Sequence, residues 1–130
     1  MKLNYDCLRD FLFVIESETK IDNNLFYCHV DFKTICKKMP KYSKKDIAYT
    51  SIIAKEANLI IGDTIDGDGF FFSCIVWRLT YSGHEFLETI RDRGIWNSTK
   101  AVLKKAGTTT VQMILSTAID LVKAKIHGRL

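Results

Sequence analysis

The stretch from Leu59 to Leu79 constrains this chain more than any other. Two β-prone runs, Leu59-Ile60-Ile61 and Phe70 to Leu79, flank the segment G-D-T-I-D-G-D-G. β-Branched and aromatic residues suit a pleated, half-buried surface. Asp66-Gly67 and Asp68-Gly69 are dipeptides that favour tight turns. The segment therefore reads as a two-stranded β-hairpin with a loop at its tip.

The residues before the hairpin read as helices with one strand between them. Asn4 is an N-cap with Asp6 in the first turn. Cys7/Leu8, Phe11/Leu12, Val14 and Ile15 then recur at helical spacing, which predicts a helix over residues 4–18. The polar stretch Glu16 to Asn24 ends it. Leu25 to Phe32 reads as a short strand. A brief helix over Phe32 to Lys38 follows, stopped by Pro40, the sole proline. Ser43 and Asp46 have the spacing of a capping box, so a helix runs from about Lys44 to Asn58. On it Ile47, Thr50, Ile53, Ala54 and Ala57 share one face. Lys44, Ala48, Ser51 and Lys55 fall on the other, with Ile52 at its margin.

After the hairpin, Thr80 is a further N-cap candidate. Phe86, Leu87, Ile90 and Ile95 carry a helix toward residue 105, with Gly94 as a possible kink. Gly107 ends it, and Thr109 with Gln112 offers a second capping box. A last helix over about 109–126 aligns Val111, Ile114/Leu115, Ala118, Leu121/Val122 and Lys125/Ile126 in one stripe.

Helix, strand, short helix, helix, hairpin and long C-terminal helices is the element order of an α+β winged helix-turn-helix. Here the hairpin is the wing and the helix before it the recognition helix. The expected division is a winged-helix domain over residues 1–93. A helical extension over 94–130 either packs on it or dimerises.

The tract D-I-A-Y-T-S-I-I-A-K-E-A-N-L-I, Asp46 to Ile60, resembles winged-helix regulators, as does Leu79, Thr80, Gly83 and Leu87 at the wing exit. Three further features cover nearly the whole chain: the start M-K-L-N-x-D-x-L-R-D, the segment L-T-Y-S-G-H-E-F-L-E-T-I-R-D, and Ile95-Trp96 with Lys100. Together they resemble an uncharacterised family of short proteins encoded by bacteria and their phages, often in prophage regions. That resemblance implies a mobile-element setting, with roles in phage regulation or in countering host defences. It implies no particular activity.

Catalytic and metal motifs are weak. His84-Glu85 would open an H-E-x-x-H zinc site only with histidine at position 88, where Glu88 stands. The expected arrangement has His84 near the hairpin and Glu85 and Glu88 in solvent. His29 and Cys28 are neighbours in a strand and point to opposite faces. His127 lies near the chain end. Asp63, Asp66 and Asp68 lack the closing glutamate of a calcium loop, and Phe70 to Phe72 stand where oxygen ligands should be. Gly67 and Gly69 lack the strand-to-helix setting of a phosphate loop. Cys7, Cys28, Cys36 and Cys74 have no C-x-x-C spacing. The reading is a non-enzymatic protein without metal or cofactor.

The opening residues carry Asp6, Arg9 and Asp10 where a signal peptide needs an apolar core, and no apolar run reaches membrane-span length. A cytoplasmic protein with reduced thiols is expected. The chain carries a net charge of +4, which permits acidic partners.

Lys37, Lys38, Lys41, Lys44, Lys45 and Lys55 lie in or just before the expected recognition helix. Lys44, Lys45, Ala48, Ser51 and Lys55 are the candidate contacts to duplex DNA. No Arg, Asn or Gln occurs in that helix before Asn58, so phosphate contacts outweigh base reading. The bland alternative is a solvated lysine face. A rival function is a protein-binding module on the same scaffold that blocks a host factor, with Ile52 and the wing aspartates at its contact. The last helix carries Asp120, Lys123 and Lys125 off its apolar stripe and is not a membrane span. Trp96, Val111, Leu115, Ala118 and Val122 are candidates for a homodimer interface.

Overall fold

In the computed structural model, which describes residues 1–107 and 110–128, the chain is a mixed α+β protein. Among the described residues it has six helices and two small antiparallel sheets. Two compact units are distinguished, Met1–His84 and Glu85–Leu130.

The first unit begins with α1 (Tyr5–Glu18), whose N-cap Asn4 accepts a hydrogen bond from the Cys7 N–H at 3.1 Å. Its inward stripe, Cys7, Leu8, Phe11, Leu12 and Ile15, is completely buried. Burying each large apolar side chain in that stripe contributes roughly 1.5–3 kcal/mol.

The strand expected over Leu25 to Phe32 is not continuous. Asp22 turns the chain there: its carboxylate accepts from the N–H groups of Asn24 at 2.9 Å and Phe26 at 3.0 Å. Leu25 takes a left-handed φ of 68°. Residues on either side of this turn form β1 (Lys20–Ile21) and β2 (Tyr27–Cys28), paired with each other. Beyond His29, β3 (Val30–Asp31) leaves this pair and joins the second sheet.

The Asp31 carboxylate caps α2 (Phe32–Lys38) by accepting from Thr34 N–H at 2.9 Å, which holds its pKa below the ordinary carboxylate value. Then α3 (Lys44–Glu56) starts on Ser43, whose hydroxyl accepts from Asp46 N–H at 3.1 Å. The helix closes with Asn58 at φ 60°, while Leu59 N–H donates to Ala54 O and Asn58 N–H to Lys55 O. That pair of bonds is a Schellman motif with asparagine in the position usually held by glycine.

The hairpin consists of β4 (Ile60–Gly67) and β5 (Phe70–Leu79), and the three-stranded sheet has the order β3-β5-β4. Its turn is Asp68-Gly69, with φ of 53° and 76°. Both positive values meet the requirement of a type I′ turn. Asp66-Gly67, the other candidate turn, lies within β4.

At the hairpin's root, Thr80 performs three tasks. Its N–H donates to Leu59 O at 3.0 Å and its hydroxyl donates to Asn58 O at 2.6 Å. The same hydroxyl oxygen accepts from Gly83 N–H at 2.8 Å, capping α4 (Tyr81–Ile90) as expected. Gly83 lies so close to the Leu59 carbonyl that any Cβ there would overlap it. Thr80 and Gly83 are therefore punctuation at a change of direction.

In the second unit the single helix expected toward residue 105 is two. Helix α4 stops at Ile90, and α5 (Arg93–Ala106) starts afresh from Asp92, whose carboxylate accepts from Ile95 N–H at 2.8 Å. The break is thus a new cap at Asp92, two residues before the glycine suspected of kinking the helix. Gly107, at φ 78°, ends α5. Thr109 lies outside the described residues; the observed cap of α6 (Val111–Ile126) is Thr110, accepting from Met113 N–H at 3.1 Å. Helices α5 and α6 pack on each other.

Candidate functional site

The candidate site is the outward surface of α3 and the hairpin beside it. Ile47, Thr50, Ser51 and Ala54 are the residues α3 buries. Thr50 donates its hydroxyl to Cys7 Sγ at 3.3 Å, and Ser51 donates to Ala48 O at 2.7 Å. Ser51 also lies against Cys74, whose thiol burial pushes up to about 11. At 100° per residue, the face opposite this buried stripe carries Lys45, Tyr49, Ile52 and Glu56.

Ser51 therefore does not face solvent, contrary to the sequence expectation: it is completely buried. The physical reason is helix phase. Ile53 and Ala57 are only partly buried, and the small hydroxyl of Ser51 takes the core position instead. The outward face is rotated by about a quarter turn, which brings in Tyr49 and Glu56. Hydrophobicity alone could not signal this, because serine reads as polar while its hydroxyl is satisfied within its own helix.

Lys44, Lys45 and Lys55 are exposed and Ala48 is half-buried. Lys55 Nζ lies 2.9 Å from Asp63 Oδ1 on the hairpin. Lys38 pairs with Glu18 at 3.4 Å and Lys41 with Asp10 at 3.7 Å. Lys37, Lys44 and Lys45 form no ion pair among the described residues. They flank the 39–43 connection that joins α2 to α3. This connection is anchored by Tyr42, whose hydroxyl donates to Asp10 at 2.6 Å. Burial and that bond hold the Tyr42 pKa well above its ordinary value.

The hairpin tip has the opposite character. Ile52 and the tip residues Asp66, Gly67, Gly69, Phe70 and Phe71 line an open groove of about 350 Å³. Phe70 and Phe72 are 60% and 61% exposed, with ring centroids 4.7 Å apart. Phe71, between them in sequence, packs on Phe32 with ring centroids 5.1 Å apart. Three consecutive aromatics in a strand cannot all face one core, since alternate side chains go to opposite faces. That alternation was a readable signal for an exposed aromatic.

His84 is exposed and lines a small cleft with Tyr27 and Trp77, while Glu85 and Glu88 are exposed. Glu88 pairs with Arg91 at 3.0 Å. No cluster of three or more His, Cys, Asp or Glu among the described residues is arranged to hold a metal ion. No helix among them is long and apolar enough to cross a membrane.

Two of the residues expected at a dimer contact are already used. Trp96 is 2% exposed and Ala118 is completely buried within the monomer. The stripe's centre, Ile114 and Ala118, is what α6 buries. Val111, Leu115 and Val122 remain half-exposed along its flank.

Comparison with known proteins adds a family. Residues 2–109 match the family described as Hypothetical protein (DUF2513). An uncharacterized protein of Haemophilus influenzae is 28% identical over 105 residues, covering 80% of each chain. No solved structure matches the chain.

Proposed function

The chain belongs to the DUF2513 family, and for this member of it we propose a non-enzymatic winged-helix protein that holds duplex DNA by its phosphates. The order α1-β3-α2-α3-β4-β5, with the sheet order β3-β5-β4, supports the winged-helix reading. In that scaffold α3 is the helix offered to a groove and β4–β5 is the wing.

The observation that carries the DNA reading is the trio Lys37, Lys44 and Lys45, exposed and without ion pairs around the α2–α3 connection. The outward face of α3 has no Arg, Asn or Gln, so binding is dominated by phosphate contacts with weak base preference. This fits a regulatory protein of a phage or other mobile element, acting in the cytoplasm. The half-exposed flank of α6 favours pairing with a second copy, through Val111, Leu115 and Val122.

The test is fluorescence anisotropy on a mixed-sequence duplex across a salt series. Three phosphate contacts give a slope of log K against log salt of about −2.7, or roughly 40-fold weaker binding between 50 and 200 mM salt. Replacing Lys37, Lys44 and Lys45 by glutamine should flatten that slope toward zero. An unchanged slope, or no binding at low salt, rejects the reading.

A second reading is favoured by a separate observation, the exposed Phe70–Phe72 pair, of which Phe70 shares a groove with Ile52. On it the scaffold is a protein-binding module that blocks or modulates a host factor, and the hairpin is its contact.

A further inference from the structure

Resting on that second reading, the geometry points to the chemistry of the partner: the groove between α3 and the hairpin tip takes a lysine or arginine side chain from a basic, apolar-flanked protein segment. Its walls and its rim call for different parts of one side chain. Ile52 on the helix and Phe70 and Phe71 on the strand offer apolar surface to an aliphatic stem. The bare backbone of Gly67 and Gly69 lets a chain come close. Asp66 at the lip supplies the carboxylate for the cation, and the open face of Phe70 accepts a guanidinium by cation–π contact.

The charge around the groove selects against other occupants. Asp66 and Asp68 at the tip and Glu56 at the end of α3 are exposed carboxylates, which disfavour an acidic side chain there. Helix α3 and the hairpin already make one such contact internally, where Lys55 reaches Asp63 at 2.9 Å. The groove extends the same complementarity to a cation from outside. Apolar residues beside that cation cover Phe72, which is 61% exposed and has its ring 4.7 Å from that of Phe70.

The probe is a fluorescein-labelled heptapeptide alternating arginine and leucine, with a second peptide carrying glutamate in place of arginine. The full chain should bind the first and not the second. Asp66→Lys and Phe70→Ser should each weaken binding at least tenfold. Both residues are exposed at a hairpin tip, and unchanged circular dichroism confirms that the variants fold. The variant with Lys37, Lys44 and Lys45 replaced by glutamine should keep full peptide affinity, so failure of the DNA reading leaves this test intact. Equal binding of the two peptides, no binding of the arginine peptide, or indifference to Asp66→Lys and Phe70→Ser overturns the proposal.

Discussion

Adjacent residues of α3 should respond to very different degrees to the same substitution. Ser51 is completely buried, with its hydroxyl on Ala48 O and its neighbour Cys74 only 2% exposed. A lysine there adds bulk to a packed core, which alone costs about 1–3 kcal/mol. Its ammonium must also be buried or drag the helix outward, adding several kcal/mol. A total above about 3 kcal/mol is a large share of a stability near 5–15 kcal/mol. Ile52 is half-buried on the outward face. Lysine there forfeits part of an isoleucine's burial, about 1 kcal/mol, and sends its head to solvent. Urea unfolding followed by far-ultraviolet circular dichroism separates the two. With a slope of roughly 1–3 kcal/mol per molar, the midpoint of Ser51→Lys should fall by 1 M or more, and that of Ile52→Lys far less. A neutral Ser51→Lys that also tightens duplex binding would refute the phase of α3 and everything built on it.

Two more tests concern the framework that positions the site. Gly83→Ala places a methyl against the Leu59 carbonyl and should destabilise by about 1–3 kcal/mol, read as a lowered urea midpoint, whereas Gly67→Ala, where a Cβ meets open space, should stay within about 1 kcal/mol. Acid should loosen α2, because Asp31 is held below its ordinary pKa by the Thr34 N–H. The cap's contribution is therefore complete above the unfolded value near 3.9 and is lost as pH falls through the lower folded value. In Asp31→Ala, which removes roughly 1 kcal/mol, this part of the acid sensitivity should disappear; an unaltered acid profile would reject the assignment.

The parts of the fold that were legible in the sequence are those set by local chemistry. Asn4, Ser43 and Thr80 cap helices because a short oxygen-bearing side chain reaches an N–H three residues on, whatever packs nearby. Pro40 and the Asp68-Gly69 turn act as locally. What escaped was decided by tertiary contact. The β-prone run from Leu25 to Phe32 is split because Val30 and Asp31 are claimed by Val76 and Ile75, while Tyr27 and Cys28 return along Lys20 and Ile21. The phase of α3 depends on which small residue lies under β5, and nothing in the helix itself announces it. Asp92 was readable as a cap, but the apolar spacing across it, from Ile90 to Ile95, imitates one continuous helix.

The clasp at the hairpin root separates two jobs that are often entangled. Asn58 and Leu59, where α3 ends, are held directly to Thr80, where the hairpin returns. The hairpin is therefore a cantilever: fixed at its base, its pitch relative to α3 does not depend on its length. Residues added at Asp68-Gly69 lengthen the arm without retuning the helix, while an insertion near Leu59 or Thr80 would shift both. The tip is the place where such a protein can change its reach, and the place where foreign loops can be grafted.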